Sequence, residues 1–154
     1  MKDVIEKLRE FHRKHDFPLD QNINAEIDEV SLKVIRYASY TLLSVACKLE
    51  HTLEQTKSPA IRRVHFMVEE LGETLQALAA QDEEELLDGL ADSIFVDIGT
   101  AEAYGLPIYE ALIEICNSNL TKATRNALDL RLRDKGSSYI APDLKRVLNE
   151  WRNK

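Results

Sequence analysis

Glu69, Glu70 and Glu73 stand on one apolar-periodic stretch, Val-Glu-Glu-Leu-Gly-Glu-Thr-Leu. Asp88 and Asp92 stand on the next, Leu-Leu-Asp-Gly-Leu-Ala-Asp-Ser-Ile-Phe. The i,i+3 spacing of Glu70 and Glu73, and the i,i+4 spacing of Asp88 and Asp92, each put two carboxylates on one helical face. A break at Ala80, Gln81 and Asp82 separates the stretches. Folded back as an antiparallel pair about that break, facing positions have numbers summing to about 162, which sets Glu70 opposite Asp92 and Glu73 opposite Asp88. Crowded carboxylates repel and resist desolvation unless a cation lies among them. An all-oxygen donor set suits a hard ion, Mg²⁺ or Mn²⁺. The alternative is an ordinary solvated acidic face. Against it, Phe66, Met67, Leu71, Leu75 and Leu78 flank the first set, and Leu87, Leu90, Ile94 and Phe95 flank the second. The carboxylates therefore sit beside the apolar stripe rather than opposite it. Glu85 forms Glu-x-x-Asp with Asp88 but also follows Asp82 as in a capping box, and it reads as a cap with a weaker second role beside the metal ligands.

The elements that must hold these groups are helical. Val4, Ile5, Leu8 and Phe11 give a first helix over residues 3–14, ended by Asp16, Phe17 and Pro18. Residues 19–28 are polar and irregular. A stripe of Leu32, Ile35, Ala38, Leu42, Ala46, Leu49 and Leu53 predicts a long helix over 29–56. Ser58-Pro59 supplies an N-cap and first helical residue for a helix to Ala80. Asp82 caps the next, running to Gly105, and Leu106-Pro107 opens another, reaching Asn126. Residues 127–140 read as a flexible loop, and Pro142 begins a last helix over 141–152 carrying Leu144, Val147, Leu148 and Trp151. No strand pattern, repeat or low-complexity tract interrupts this order. The reading is a single all-α domain over 1–154, a helical bundle with its core over 58–126. Gly99, inside the fourth helix, marks close packing of another helix, and Asp97 points away from the acidic set.

Composition agrees. A chain of 154 residues with 44% apolar content, 6% aromatics and five glycines suits one helical domain with a sizeable core. A net charge of −7 argues against nucleic-acid backbones as partners, though a free nucleotide screened by metal remains compatible. Cys47 and Cys116 lack the spacing of a disulfide or zinc framework and read as reduced thiols. No run is long enough to span a membrane, the first residues lack a signal-peptide core, and the expected location is cytoplasmic. His12, His15, His51 and His65 show no Glu-x-x-His spacing, which argues against a di-iron bundle. A lone helical histidine such as His65 reads as packing or surface. No Gly-x-x-x-x-Gly-Lys phosphate loop is present.

The Glu-Glu-x-x-Glu of residues 69–73, followed by Asp92 and its apolar run, resembles the all-α nucleoside triphosphate pyrophosphohydrolases, the superfamily of MazG-like enzymes, dimeric dUTPases and phosphoribosyl-ATP pyrophosphohydrolase. The similarity extends from Arg63 to Lys122. Where that pattern has Glu-x-x-Asp, this chain has Gly89, and Asp88 looks like the substitute. The resemblance implies attack of water between the α and β phosphates of a nucleoside triphosphate, giving a monophosphate and pyrophosphate. It implies Glu70, Glu73, Asp88 and Asp92 as metal ligands, and Glu69 as catalytic base or further ligand, with a solvated neighbour as its alternative. Asn119 and Lys122, in Cys-Asn-Ser-Asn-Leu-Thr-Lys, resemble the family's phosphate-contacting stretch, and Lys135 and Tyr139 lie in a loop placed to close on substrate. Mg²⁺, or Mn²⁺, is the implied cofactor. The implied assembly is a homodimer or homotetramer whose helices complete the site. The competing reading is a non-catalytic metal- or nucleotide-binding module, or a structural oligomerisation bundle, with Gly89 as a lost ligand.

Overall fold

The computed structural model describes residues 1–23, 27–123 and 135–154. Among the described residues every regular element is an α-helix: α1 (Lys2–Lys14), α2 (Glu29–Thr56), α3 (Pro59–Ala80), α4 (Glu83–Ala103), α5 (Ile108–Leu120) and α6 (Leu144–Arg152). The all-α reading holds. No helix among these residues is long and apolar enough to cross a membrane.

Local chemistry sets the boundaries. The Asp28 carboxylate accepts the Ser31 N–H at 2.9 Å and starts α2. Ser58 caps α3, with Pro59 in its first turn, where a missing N–H costs nothing. Lys57 and Gln81 adopt left-handed backbone conformations at the ends of α2 and α3, with φ of 51° and 57°, so each helix stops within one residue and the next begins almost at once. The Gln81 side-chain amide donates to the Ile23 carbonyl at 2.8 Å and ties that turn to the segment before α2.

The chain forms two compact units. In the unit over Asn22–Tyr104, α2 and α4 both pack against α3. Small residues make the contacts. A Cβ on Gly72 would stand 2.8 Å from Leu43 Cδ2, and the buried Ser39 hydroxyl donates to the Gly72 carbonyl at 2.8 Å, so α2 lies directly on α3 there. On the α4 side, a Cβ on Gly89 would stand 2.7 Å from Thr74 Oγ1 and 3.1 Å from Thr74 Cα. Ala46, Ala77, Ala79, Val96 and Ala101 are buried in this unit. Close approach of helix backbones through small residues, rather than interlocking large side chains, holds the three helices.

The other unit joins Met1–Gln21 to Gly105–Lys154, with α1 and α6 both against α5. Lys7 Nζ donates to Asn117 Oδ1 at 2.8 Å, Lys14 Nζ donates to the Leu120 carbonyl, and Arg146 bridges α6 to Glu114 of α5 at 2.8 Å. One boundary differs from expectation: α5 ends at Leu120, not Asn126. The Thr121 hydroxyl donates to the Ser118 carbonyl at 2.7 Å and accepts the Ile140 N–H at 2.8 Å, while Ser118 Oγ donates to the Ile140 carbonyl. These bonds turn the chain out of the helix. The expected helical residues 124–126 and the loop residues 127–134 lie outside the described residues.

Candidate active site

Glu69, Glu70 and Glu73 lie along α3 and Asp88 and Asp92 along α4, on the two helices that Gly89 brings together. The expected register holds within one residue, because Thr74 faces Gly89 and Arg63 faces Gly99. The five carboxylates share one electrostatic field. Burial raises the Glu70 carboxyl above its ordinary range, and Asp92, Glu73, Glu69 and Asp88 add to the rise. Glu73 is raised likewise, by burial first and then by Glu69, Asp92, Asp88 and Glu85. Each shift states that a negative charge is costly where it sits.

The donor set is all oxygen, as a hard divalent cation requires. Among the described residues, however, no three of these side chains converge to metal-binding distance. The nest fits such an ion by donor chemistry and by mutual repulsion, not by a finished coordination shell.

Gly89 has a structural explanation. A side chain there would run into the Thr74 hydroxyl and backbone, and Thr74 is fixed by donating to the Glu70 carbonyl at 2.8 Å. Position 89 is therefore a packing point with no room for a carboxylate, and Asp88, one residue earlier, is exposed. Nothing about catalysis follows from the missing Glu.

Two further expectations change. Glu85 does not complete a capping box: Asp82 Oδ1 accepts the Glu85 N–H at 3.2 Å, but the Asp82 N–H goes to the Ala77 carbonyl. The Glu85 side chain instead lines a groove with Glu73, Gln76 and Ala80. Gly99 packs against no helix backbone; its nearest neighbour is the guanidinium of Arg63, 3.3 Å from where a Cβ would stand.

His65, read from the sequence as packing or surface, is a packed residue beside the acidic set. It is buried, and its Nε2 stands 3.4 Å from Glu69 Oε2 one turn along α3. Its i,i+4 spacing to Glu69 was visible in the sequence; its burial was not.

Asn119, Lys122, Lys135 and Tyr139 belong to the other unit. Asn119 is the penultimate residue of α5, and Lys122, just beyond its end, donates its backbone N–H to the Asn119 carbonyl at 3.1 Å. Lys122 lies near enough to the buried His15 that, after burial and Lys14, its charge helps hold the imidazole below its usual range. Lys135 Nζ sits 5.1 Å above the Tyr139 ring.

Carboxylates of this number and spacing, on an α-helical hairpin, resemble those of the all-α pyrophosphohydrolases, hydrolases that act on phosphoric anhydrides. The family model for phosphoribosyl-ATP pyrophosphohydrolase, a family within the MazG-like superfamily, matches residues 47–119, from within α2 to the end of α5. No curated protein and no solved structure matches the chain. The family acts as a pyrophosphohydrolase on nucleotide-like substrates.

Proposed function

We propose that the chain, working as one domain over 1–154, hydrolyses a nucleoside triphosphate between its α and β phosphates, releasing a monophosphate and pyrophosphate in a metal-dependent reaction. The observation that carries this reading is the shared field of the α3 and α4 carboxylates, which holds Glu70 and Glu73 above their ordinary range. Glu70, Glu73, Asp88 and Asp92 are the ligands, for Mg²⁺ or Mn²⁺. A cation held there would neutralise phosphate oxygens and lower the pKa of a water. Glu69, with His65 beside it, is the base for the attacking water. Asn119, Lys122, Lys135 and Tyr139, in the other unit, are the candidates for contact with substrate.

The working assembly is a homodimer or homotetramer in the cytoplasm. Support comes from apolar side chains left in solvent: Val30, Val34 and Tyr37 on α2, and Leu87, Ile94 and Phe95 on α4.

Pyrophosphate release from a panel of canonical and modified nucleoside triphosphates, with Mg²⁺, Mn²⁺ or chelator, tests this reading. Release that chelator abolishes is the expected result. No release from any triphosphate, with metal binding still seen by calorimetry, overturns it in favour of a binding module.

A further inference from the structure

The acidic groove does not end at Glu73. Gln76 and Ala80, one and two turns further along α3, line it together with Glu73 and Glu85. The same two residues also line a second cleft on the α2 side, of about 360 Å³, whose other walls include Arg36, Ser39, Tyr40 and Leu43. Both clefts lie within the Asn22–Tyr104 unit. They are neighbours across Gln76 and Ala80, and Gln76 lies roughly 4.5 Å along the helix axis from Glu73.

The second cleft differs chemically from the first. Arg36 and Tyr40 stand at i,i+4 on α2, so their side chains share a face. Tyr40 is 74% exposed, and Arg36 makes no ion pair among the described residues. A planar guanidinium and an aromatic ring side by side offer two flat surfaces that accept a heterocycle by stacking. Leu43 supplies an apolar wall, and the Gln76 amide offers both a donor and an acceptor to the edge of a ring. The volume lies in the range of small-molecule sites. An arginine without an ion pair, in a cleft that shares Gln76 with the groove at Glu73, also suits a ligand that bears anionic charge beside a flat base.

We propose that the cleft between α2 and α3, walled by Arg36, Tyr40, Leu43 and Gln76, binds the heterocyclic base of the nucleotide whose phosphates lie at the α3–α4 carboxylates. The inference rests on the reading under Proposed function for the placement of the phosphates, and it assigns specificity to α2. A substrate cut next to its α phosphate keeps its nucleoside within a turn of helix of the scissile bond, and Gln76 is the side chain that spans that interval.

Binding and turnover, measured separately on the full chain, test it. Nucleoside monophosphates are titrated calorimetrically into the wild type, Tyr40→Ala, Tyr40→Phe and Gln76→Ala. Loss of a stacking ring weakens binding by about tenfold or more, so Tyr40→Ala is expected to lose at least that, Tyr40→Phe to retain wild-type affinity, and Gln76→Ala to change the ranking among bases. In turnover, Tyr40→Ala raises KM for the nucleoside triphosphate but leaves hydrolysis of inorganic tripolyphosphate, which has no base, unchanged. Equal monophosphate binding by wild type and Tyr40→Ala overturns the inference, as does absence of binding to the wild type or equal loss on both substrates. A wild type that binds monophosphate through Tyr40 yet releases no pyrophosphate overturns the hydrolytic reading and supports the base cleft.

Discussion

The His65 imidazole is only 7% exposed, with its Nε2 3.4 Å from Glu69 Oε2 and its other ring nitrogen buried without a partner. On the proposed hydrolytic reading, a polar ring nitrogen held this close makes His65 a positioning residue for the Glu69 carboxylate. His65→Leu is expected to lower kcat for pyrophosphate release about tenfold, the scale on which outer-shell partners are felt. KM should stay unchanged, and His65→Gln, which keeps an N–H donor, should recover most of the rate. Steady-state kinetics beside thermal unfolding check this; a drop that tracks lost stability in both variants would reduce His65 to a packing residue.

Glu73 lines the groove it shares with Gln76 and Glu85 and feels four neighbouring carboxylates. Glu73→Gln is expected to lower metal-dependent turnover by about 100-fold or more, as removal of a preorganised electrostatic group does. Its helix content by circular dichroism should match the wild type. Unaltered turnover would remove Glu73 from the ligand set.

The raised carboxyls of Glu70 and Glu73 carry a sign for stability. Where the folded pKa exceeds the unfolded one, the folded state holds more protons, and stability falls as pH rises from the ordinary carboxylate value through the raised one. With chelator present, these two groups therefore make the protein less stable at neutral pH than near pH 4.5, on the order of the unfolded glutamate value. Thermal unfolding of Glu70→Gln with chelator should show a higher Tm than wild type at pH 7 and a vanishing difference at pH 4. Divalent metal should reverse the ranking at pH 7, because a ligand bound only to the folded state stabilises it. A variant no more stable than wild type at pH 7 would contradict the repulsion.

Packing at Gly89 predicts a purely structural effect. Gly89→Ala places a methyl against the Thr74 hydroxyl and backbone, and overpacking of this kind costs about 1–3 kcal/mol. Lys48→Ala, at an exposed position of α2, should change stability by less than about 0.5 kcal/mol. Chemical denaturation measures both, and a neutral Gly89→Ala would mean that the hairpin opens at that point.

Much of the hairpin was legible in the chain itself. Ser58-Pro59 and Asp82 mark helix starts by local chemistry, and the spacing of carboxylates on either side of residue 81 sets their register, which Thr74 against Gly89 confirms. What escaped depends on partners far along the chain. The early end of α5 is set by Thr121 bonding to Ile140, a contact that no window of helical periodicity contains. Gly99 reads as a helix-packing glycine because glycine costs stability in a helix; that its neighbour is a side chain, Arg63, follows only from the fold. Glu85 has the spacing of a capping residue, but the Asp82 N–H is taken by the Ala77 carbonyl of the preceding turn, so the reciprocal bond has no donor left. The α2 cleft was invisible for another reason: Arg36, Tyr40 and Gln76 are unremarkable singly and meet only across two helices.

The contact between Gly89 and Thr74 also constrains how this sequence can change. Restoring a glutamate at 89, as the family pattern has it, would drive a long side chain into the α3 backbone unless the two helices first separated, and separating them would pull Asp88 and Asp92 away from Glu70 and Glu73. A carboxylate at 88 with glycine at 89, and a carboxylate at 89 with a wider hairpin, are therefore two solutions divided by unstable intermediates. A smaller residue at 74 would ease the passage from one to the other, because Thr74 supplies the contacts that a side chain at 89 meets.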